Sequence, residues 1–243
     1  MADVSAHYDD VNTIINDCAV EVGLAPSTDA FADTNPAFRQ LRYLMDSAGR
    51  KLLRMAVFQE MVEEHTISTD ASATYALPDN WGYMIPQTNW NRTDDVPLFG
   101  PLSAQDWQFL EGRGLSSTTI YASFRLRKHK VYVYPSTLTG KTLAFEYVRD
   151  TWACDSTETD FYDRIQAGTN LVRYPPELFL AFLKCLFLEA KGFDSQKARD
   201  EFTDMFEAIS GQDKSSEILN AGGNARTYPY LGKNNIPDSG YGS

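Results

Sequence analysis

The sequence is short of the residues that most chemistry needs. It has three cysteines and three histidines in 243 residues. Cys18, Cys154 and Cys185 are scattered and odd in number, with no Cys-x-x-Cys and no Cys/His spacing, so neither a disulfide framework nor a zinc site is indicated. His7, His65 and His129 fall in an expected terminal helix, a hairpin and a turn, where a surface polar residue is the plain reading. Motifs for a hydrolase nucleophile, a phosphate loop, a zinc protease and a dinucleotide fold are all missing. No catalytic, cofactor-binding or metal-binding residue is therefore assigned, no cofactor is expected, and the chain reads as a non-enzyme. It also lacks an apolar run of about 18 residues that would cross a bilayer. The most apolar segment, 178–190, is interrupted by Lys184, follows Glu177 and carries Glu189 near its end, which reads as a buried helix. Met1-Ala2-Asp3 opens an acidic stretch without a basic region, so no secretion signal is expected and the expected site of synthesis is a reducing cytoplasm.

Positive charge is missing from the first 38 residues, which carry Asp3, Asp9, Asp10, Asp17, Glu21, Asp29 and Asp33 and no Lys or Arg. The whole chain has a net charge of −11, which argues against a general nucleic-acid binder. Cations gather instead at Arg113, Arg125, Arg127, Lys128 and Lys130. Such a split is read either as solvated faces or as complementary faces between neighbouring copies. A third option is an acidic wall that DNA slides past without sticking.

Hydrophobic periodicity places a helix from near Ser5 to about Val22, with Val11, Ile14, Ile15, Cys18 and Val22 on one stripe. A second helix starts at Pro36 and runs to about Phe58 on Leu41, Leu44, Met45, Ala48 and Leu52. The period then changes to two. Residues 61–67 and 73–77 read as a hairpin turning at 68–70. Ser103 and Asp106 mark the start of a short helix over 104–110. Three strands, about 124–127, 131–134 and 143–148, read as a meander. Residues 151–173 are mixed. Pro175-Pro176 opens an apolar helix to about Lys191, Gly192 ends it, and a further helix covers about 195–209.

The most distinctive stretch is Leu77 to Leu110, which holds three of the four tryptophans and four of the eleven prolines. Rigid rings and fixed backbone shape suit packing or assembly better than an active site. Trp81, Trp90 and Trp107 also suit a sugar platform, though core or interface anchors are the commoner use. Arg92 is expected to fix its loop through carbonyls or a carboxylate. Asp155, Glu158, Asp160 and Asp163 make an acidic stretch without the calcium-loop pattern, and an acidic loop is the plain reading. Asn91-Arg92-Thr93 matches a glycosylation sequon and is read as accidental. From Ala221 the chain turns to Gly, Asn, Pro, Tyr and Ser, too poor in aliphatics to fold alone.

Several of these segments together resemble the head-to-tail adaptor (connector, tail tubular protein A-like) family of short-tailed bacteriophages. The similarity is carried in order by Tyr75, Leu77, Pro78, Trp81 and Pro86, then Trp90-Asn91-Arg92-Thr93, Pro97-Leu98, Gly100-Pro101-Leu102-Ser103 and Gln105-Asp106-Trp107-Gln108. It continues in Leu143-Ala144-Phe145-Glu146-Tyr147-Val148, Tyr174-Pro175-Pro176-Glu177-Leu178 and Ala190-Lys191-Gly192, covering roughly residues 60–210.

The resemblance implies a structural virion protein at the head-tail junction. It would form a dodecameric ring between the portal and the next tail component. That ring would extend the DNA channel, retain the packaged genome until ejection, and touch DNA without sequence-specific binding. No membrane partner is implied.

The expected fold is α+β. An N-terminal helical pair (1–60) and C-terminal helices (151–220) make a helical bundle, with an inserted β-rich subdomain (61–150) and an extended C-terminal arm (221–243). Leu77, Pro78, Trp81, Trp90, Arg92 and Trp107 are the expected packing or interface residues. Tyr228, Tyr230, Leu231, Ile236 and Tyr241 are the expected portal contacts, and Asp9, Asp10 and Asp17 are assigned to the channel lining. The alternative is a tail-associated carbohydrate-binding module or enzyme that uses the Trp-rich segment.

Overall fold

Capping residues stand at the starts of the first three helices. The computed structural model describes residues 8–113 and 122–213. Helix α1, Val11–Glu21, is capped by Asp10, whose carboxylate accepts the Thr13 N–H at 2.7 Å. The expected start near Ser5 is therefore too early. Asp9 and Asp10 run extended beside Leu171 and Val172: the Val172 N–H donates to the Asp9 carbonyl and the Val11 N–H to the Asn170 carbonyl.

Helix α2, Pro36–Met55, has Asn35 as its cap and Pro36 in its first turn. It buries Phe38, Leu41, Met45, Ala48, Gly49, Leu52 and Leu53. It stops three residues before the expected end at Phe58, because the chain turns extended at Ala56. Ser103 Oγ accepts the Asp106 N–H at the start of α3, Ala104–Arg113. Helix α4, Pro176–Lys191, is buried on most of its circumference, as its near-continuous apolar sequence requires. Gly192 closes it at φ 74°, a left-handed position that suits glycine. Helix α5, Gln196–Asp213, follows at once and packs on α4.

Strand partners come from far along the chain. β1 (Val62–Ser68) lies antiparallel along all but the last residue of β8 (Thr142–Arg149). On the opposite side of β8 come β3 (Trp81–Met84) and β4 (Trp90–Asn91), and β5 (Val96–Pro97) extends β4. A second sheet has the order β2 (Thr74–Ala76), β7 (Lys130–Tyr134), β6 (Ser123–Arg127). A small third sheet places β9 (Ala153–Cys154) between β10 (Phe161–Tyr162) and β11 (Leu171–Val172).

Two cores result. Ile67, Leu98, Phe124, Val131, Leu143 and Phe145 fill the space between the first two sheets. The helices close a larger core around Val148, Trp152, Tyr174 and Phe179. β8 serves both, which is why its sequence is apolar on both faces rather than alternating.

The chain mixes helix and sheet as expected, but the expected helical bundle is not what forms. Among the described residues there are five helices and three antiparallel sheets. Helices α1, α2 and α5 surround α4 without closing a helical bundle, because Trp152, Tyr174 and Val148 occupy part of the same core. Residues 151–173, left undivided by the sequence, supply the third sheet. The expected hairpin also fails: β1 pairs with β8 and β2 with β7, so the chain changes sheet at that turn. The meander breaks for the same reason, since β6 and β7 pair but β8 leaves for the other sheet. The segment 221–243, expected to be an arm, lies outside the described residues.

Candidate functional site

The Trp-rich run wraps the seam between the two larger sheets. Leu77 is buried in the sheet core, and its N–H donates to the His129 carbonyl. The Pro78 carbonyl accepts from Trp81 N–H and lies 3.0 Å from His129 Nε2. Trp81 stacks on Tyr147 at a centroid distance of 5.1 Å and meets the edge of Phe145 at 5.8 Å. Trp90 stands in β4 opposite Ala144 and Pro97.

Arg92 reaches the Glu64 carboxylate at 2.5 Å, while its N–H donates to the Thr142 carbonyl. Of the expected partners, carbonyls or a carboxylate, the Arg92 side chain takes a carboxylate, Glu64, and the bond ties β4 across β8 to β1. Asn91 closes the turn by accepting from the N–H groups of Thr93 and Asp94. Trp107 is buried; its indole N–H donates to Glu111 at 2.7 Å, and its ring meets Tyr132 and Tyr134 edge-on.

Below this run lies a charged network that sequence reasoning missed. Arg149, on β8, is 3% exposed. It pairs with Glu63 at 3.1 Å, donates to the Glu60 carbonyl at 3.0 Å, and lies 4.1 Å over the Phe161 ring. Arg173 pairs with Glu60 and with Glu158 and lies over the rings of Tyr8 and Phe161. Phe161 is thus shared by two guanidinium groups. Glu63 also accepts from the Tyr147 hydroxyl at 2.6 Å and from Asn80 at 3.1 Å. Burial and the neighbouring Glu63 push the Tyr147 phenol up, so it donates at every ordinary pH. The network fastens the 3-10 turn Gln59–Met61, β1, β8 and the third sheet together, across the boundary between the cores. Its sequence signal is slight: arginines that follow apolar strand runs at Val148-Arg149 and Val172-Arg173.

The remaining sequence candidates scatter. Asp10 is spent on its cap, Asp17 is exposed on α1, and Asp9 is part-exposed. Desolvation, then Asp17 and Asp10, raise the Asp9 carboxyl above its ordinary value. In the acidic stretch, Asp155 accepts from the Thr157 hydroxyl and from the N–H groups of Thr159 and Asp160; the Thr157 bond first, then the backbone bonds, hold its carboxyl low. Glu158 goes to Arg173. Among the described residues no cluster of His, Cys, Asp or Glu has the geometry to hold a metal ion.

All three cysteines are free and buried, and burial pushes the thiols of Cys18 and Cys154 up to about 12. No described helix is long and apolar enough to cross a membrane. His7, Tyr228, Tyr230, Leu231, Ile236 and Tyr241 lie outside the described residues. Compared with known proteins, the sequence matches no family model and no curated protein.

Proposed function

We propose that the protein is a head-to-tail adaptor of a short-tailed bacteriophage. In this reading it is a virion structural protein that forms a ring between portal and tail, lengthens the DNA channel and helps retain the packaged genome. The observation that carries the reading is the ordered run of segments from Tyr75 to Gly192. The geometry adds a physical role for that run. Its tryptophans and Arg92 clasp β8 between β1, β3 and β4, and Trp107 pins α3 to the second sheet. Such side chains make a stiff body, and a ring component under the pressure of packaged DNA needs one.

The carbohydrate-binding alternative loses ground on the same geometry. Trp107 is buried, and one face of Trp81 is covered by Tyr147, so neither is an open platform for a sugar ring.

The test mixes the full chain with the portal ring of the phage that encodes it and follows the mixture by mass photometry, with and without residues 221–243. Stoichiometric binding that is lost on truncation supports both the adaptor role and the portal contact through Tyr228, Tyr230, Leu231, Ile236 and Tyr241. Binding that survives truncation keeps the role and removes that contact. No binding sinks the adaptor reading.

A further inference from the structure

Helix α2 carries Arg39, Arg42, Arg50, Lys51 and Arg54 against one carboxylate, Asp46, in a chain of net charge −11. Two of these groups are used internally. Arg42 donates to the Phe31 carbonyl at 2.8 Å and covers the Phe31 ring, and Asp46 accepts the Ile165 N–H. Arg39, Arg50, Lys51 and Arg54 meet no carboxylate among the described residues. Arg39, Tyr43, Arg50 and Arg54 follow at helical spacing along one face. Tyr43 is 72% exposed at the centre of that stripe. A large exposed ring among cations marks a protein-binding face rather than a purely electrostatic one.

A complementary surface exists elsewhere on the molecule. A groove between α4 and α5 has an apolar floor of Leu188, Ala198 and Met205. Its rim carries Asp194, Asp200, Glu201 and Asp204 together with Lys197, and Lys184 beneath is tied to Glu21 and Glu201. Glu207 continues the acidic stripe one turn further. Arg50 and Arg54 are four residues apart, the spacing of Asp200 and Asp204, about 6 Å along each axis. Asp150 and Asp163 line the same cavity as Arg50 and Arg54 without forming a salt bridge to them, and α2 and α5 both pack on α4 with little contact between them, so the two surfaces do not neutralise each other within one chain.

We propose that the occupant of the α4–α5 groove is helix α2 of a second copy of this chain. Tyr43 meets the apolar floor, and the arginines meet the acidic rim. Two different surfaces of one molecule make a head-to-tail contact, which closes into a ring or extends as a filament. The contact deepens the ring reading and rests on it only for closure. A nucleic acid is the weaker occupant, because the acidic remainder of the chain repels a polyanion beyond the patch.

The test uses full chains and a charge swap. One variant is Arg39→Glu, Arg50→Glu, Arg54→Glu; the other is Asp200→Lys, Asp204→Lys, Glu207→Lys. Circular dichroism checks folding, and sedimentation velocity at low and high salt reads association. The wild type should self-associate at low salt, each variant alone should be monomeric, and an equimolar mixture of the two should associate again. A wild type that stays monomeric to its solubility limit overturns the proposal. So do variants that associate like the wild type, or a mixture that stays monomeric.

If a triple variant does not fold, Tyr43→Asp, a single exposed change, must weaken association by itself; unchanged association overturns the proposal. Retention of double-stranded DNA that the arginine variant loses while still self-associating would give α2 to nucleic acid and also overturns it. Portal binding by a wild type that never self-associates sinks this contact and leaves the adaptor role. Charge-dependent self-association without portal binding does the reverse.

Discussion

The bare backbone of Gly49 lies against the indole of Trp152: a Cβ on Gly49 would stand 2.2 Å from two of the ring carbons. Trp152 is fully buried, its N–H donates to the Asp163 carbonyl, and its ring stacks on Phe179 at 5.6 Å. The Tyr174 hydroxyl donates to the Gly49 carbonyl at 2.9 Å, so the helix is fixed on the same side. Neither partner has room to withdraw.

Gly49→Ala therefore sets two effects against each other. Alanine gains about 1 kcal/mol of helix propensity over glycine. Overpacking a closed core costs about 1–3 kcal/mol. The clash is with a ring stacked on one side and hydrogen-bonded at its tip, so the loss should win by about 1 kcal/mol or more. Urea denaturation reads it. Trp152→Phe should recover part of the loss in the double variant, since the two sites are in contact. A Gly49→Ala protein as stable as the wild type would show that the indole shifts freely.

Asp10 should behave as a cap. Its carboxylate is held by Thr13 N–H, so Asp10→Ala should cost about 1 kcal/mol and Asp10→Asn only a few tenths. Thermal melting at neutral pH separates the two. Equal losses for both would mean that charge, and not the capping bond, is what matters. The distinction bears on the assignment of this residue to a channel wall, because only the Asn variant removes its charge while keeping α1 intact.

Local signals were legible and distant ones were not. Asn35-Pro36, Ser103 with Asp106, and Pro175-Pro176 with Gly192 each mark a helix end within a few residues, because capping is a contact between sequence neighbours. The partner of β1 was hidden. Val62 pairs with Val148, and nothing in either strand names a partner that far along the chain. The burial of Arg149 and Arg173 was hidden too, since it depends on Glu60 and Glu63 from one segment and Phe161 from another. The arginine stripe of α2 was in plain view at spacings of eleven and four residues. Its meaning appears only once Asp46 and Arg42 are seen to be occupied.

The Arg149 network predicts an asymmetry. Arg149→Ala leaves the Glu63 carboxylate without its cation and the Phe161 ring with only Arg173 over it. Breaking a fully buried pair costs about 3–5 kcal/mol, but Glu63 is 37% exposed and water compensates part, so about 2–3 kcal/mol is expected. Arg149→Met together with Glu63→Gln, which removes both charges and keeps volume, should cost clearly less. Chemical denaturation of the single and double variants decides. A double variant as damaged as Arg149→Ala would show that the ion pair itself, rather than an abandoned charge, supplies the stability.

His65 should give the fold a pH limb. Its ring is half-buried on β1 between Phe145 and Tyr147, and its Nε2 is buried without a hydrogen-bond partner in the protein. Desolvation outweighs the hydrogen bond to the Ala76 backbone and lowers its pKa from 6.5. The unfolded chain therefore binds the proton more readily than the folded one. Stability from this group is fully present above pH 6.5 and is lost as pH falls from there through the lower folded value. Asp9 and Asp150 shift the other way, raised by burial and neighbouring carboxylates, so a raw stability curve mixes opposite signs. The difference between wild type and His65→Phe isolates the histidine. Phenylalanine keeps the aromatic contact with Phe145 and carries no proton. The wild type should lose stability relative to the variant between about pH 7 and pH 5, and the difference should be flat above that range. A flat difference throughout would mean that the ring protonates without cost, with water reaching Nε2 in the folded state.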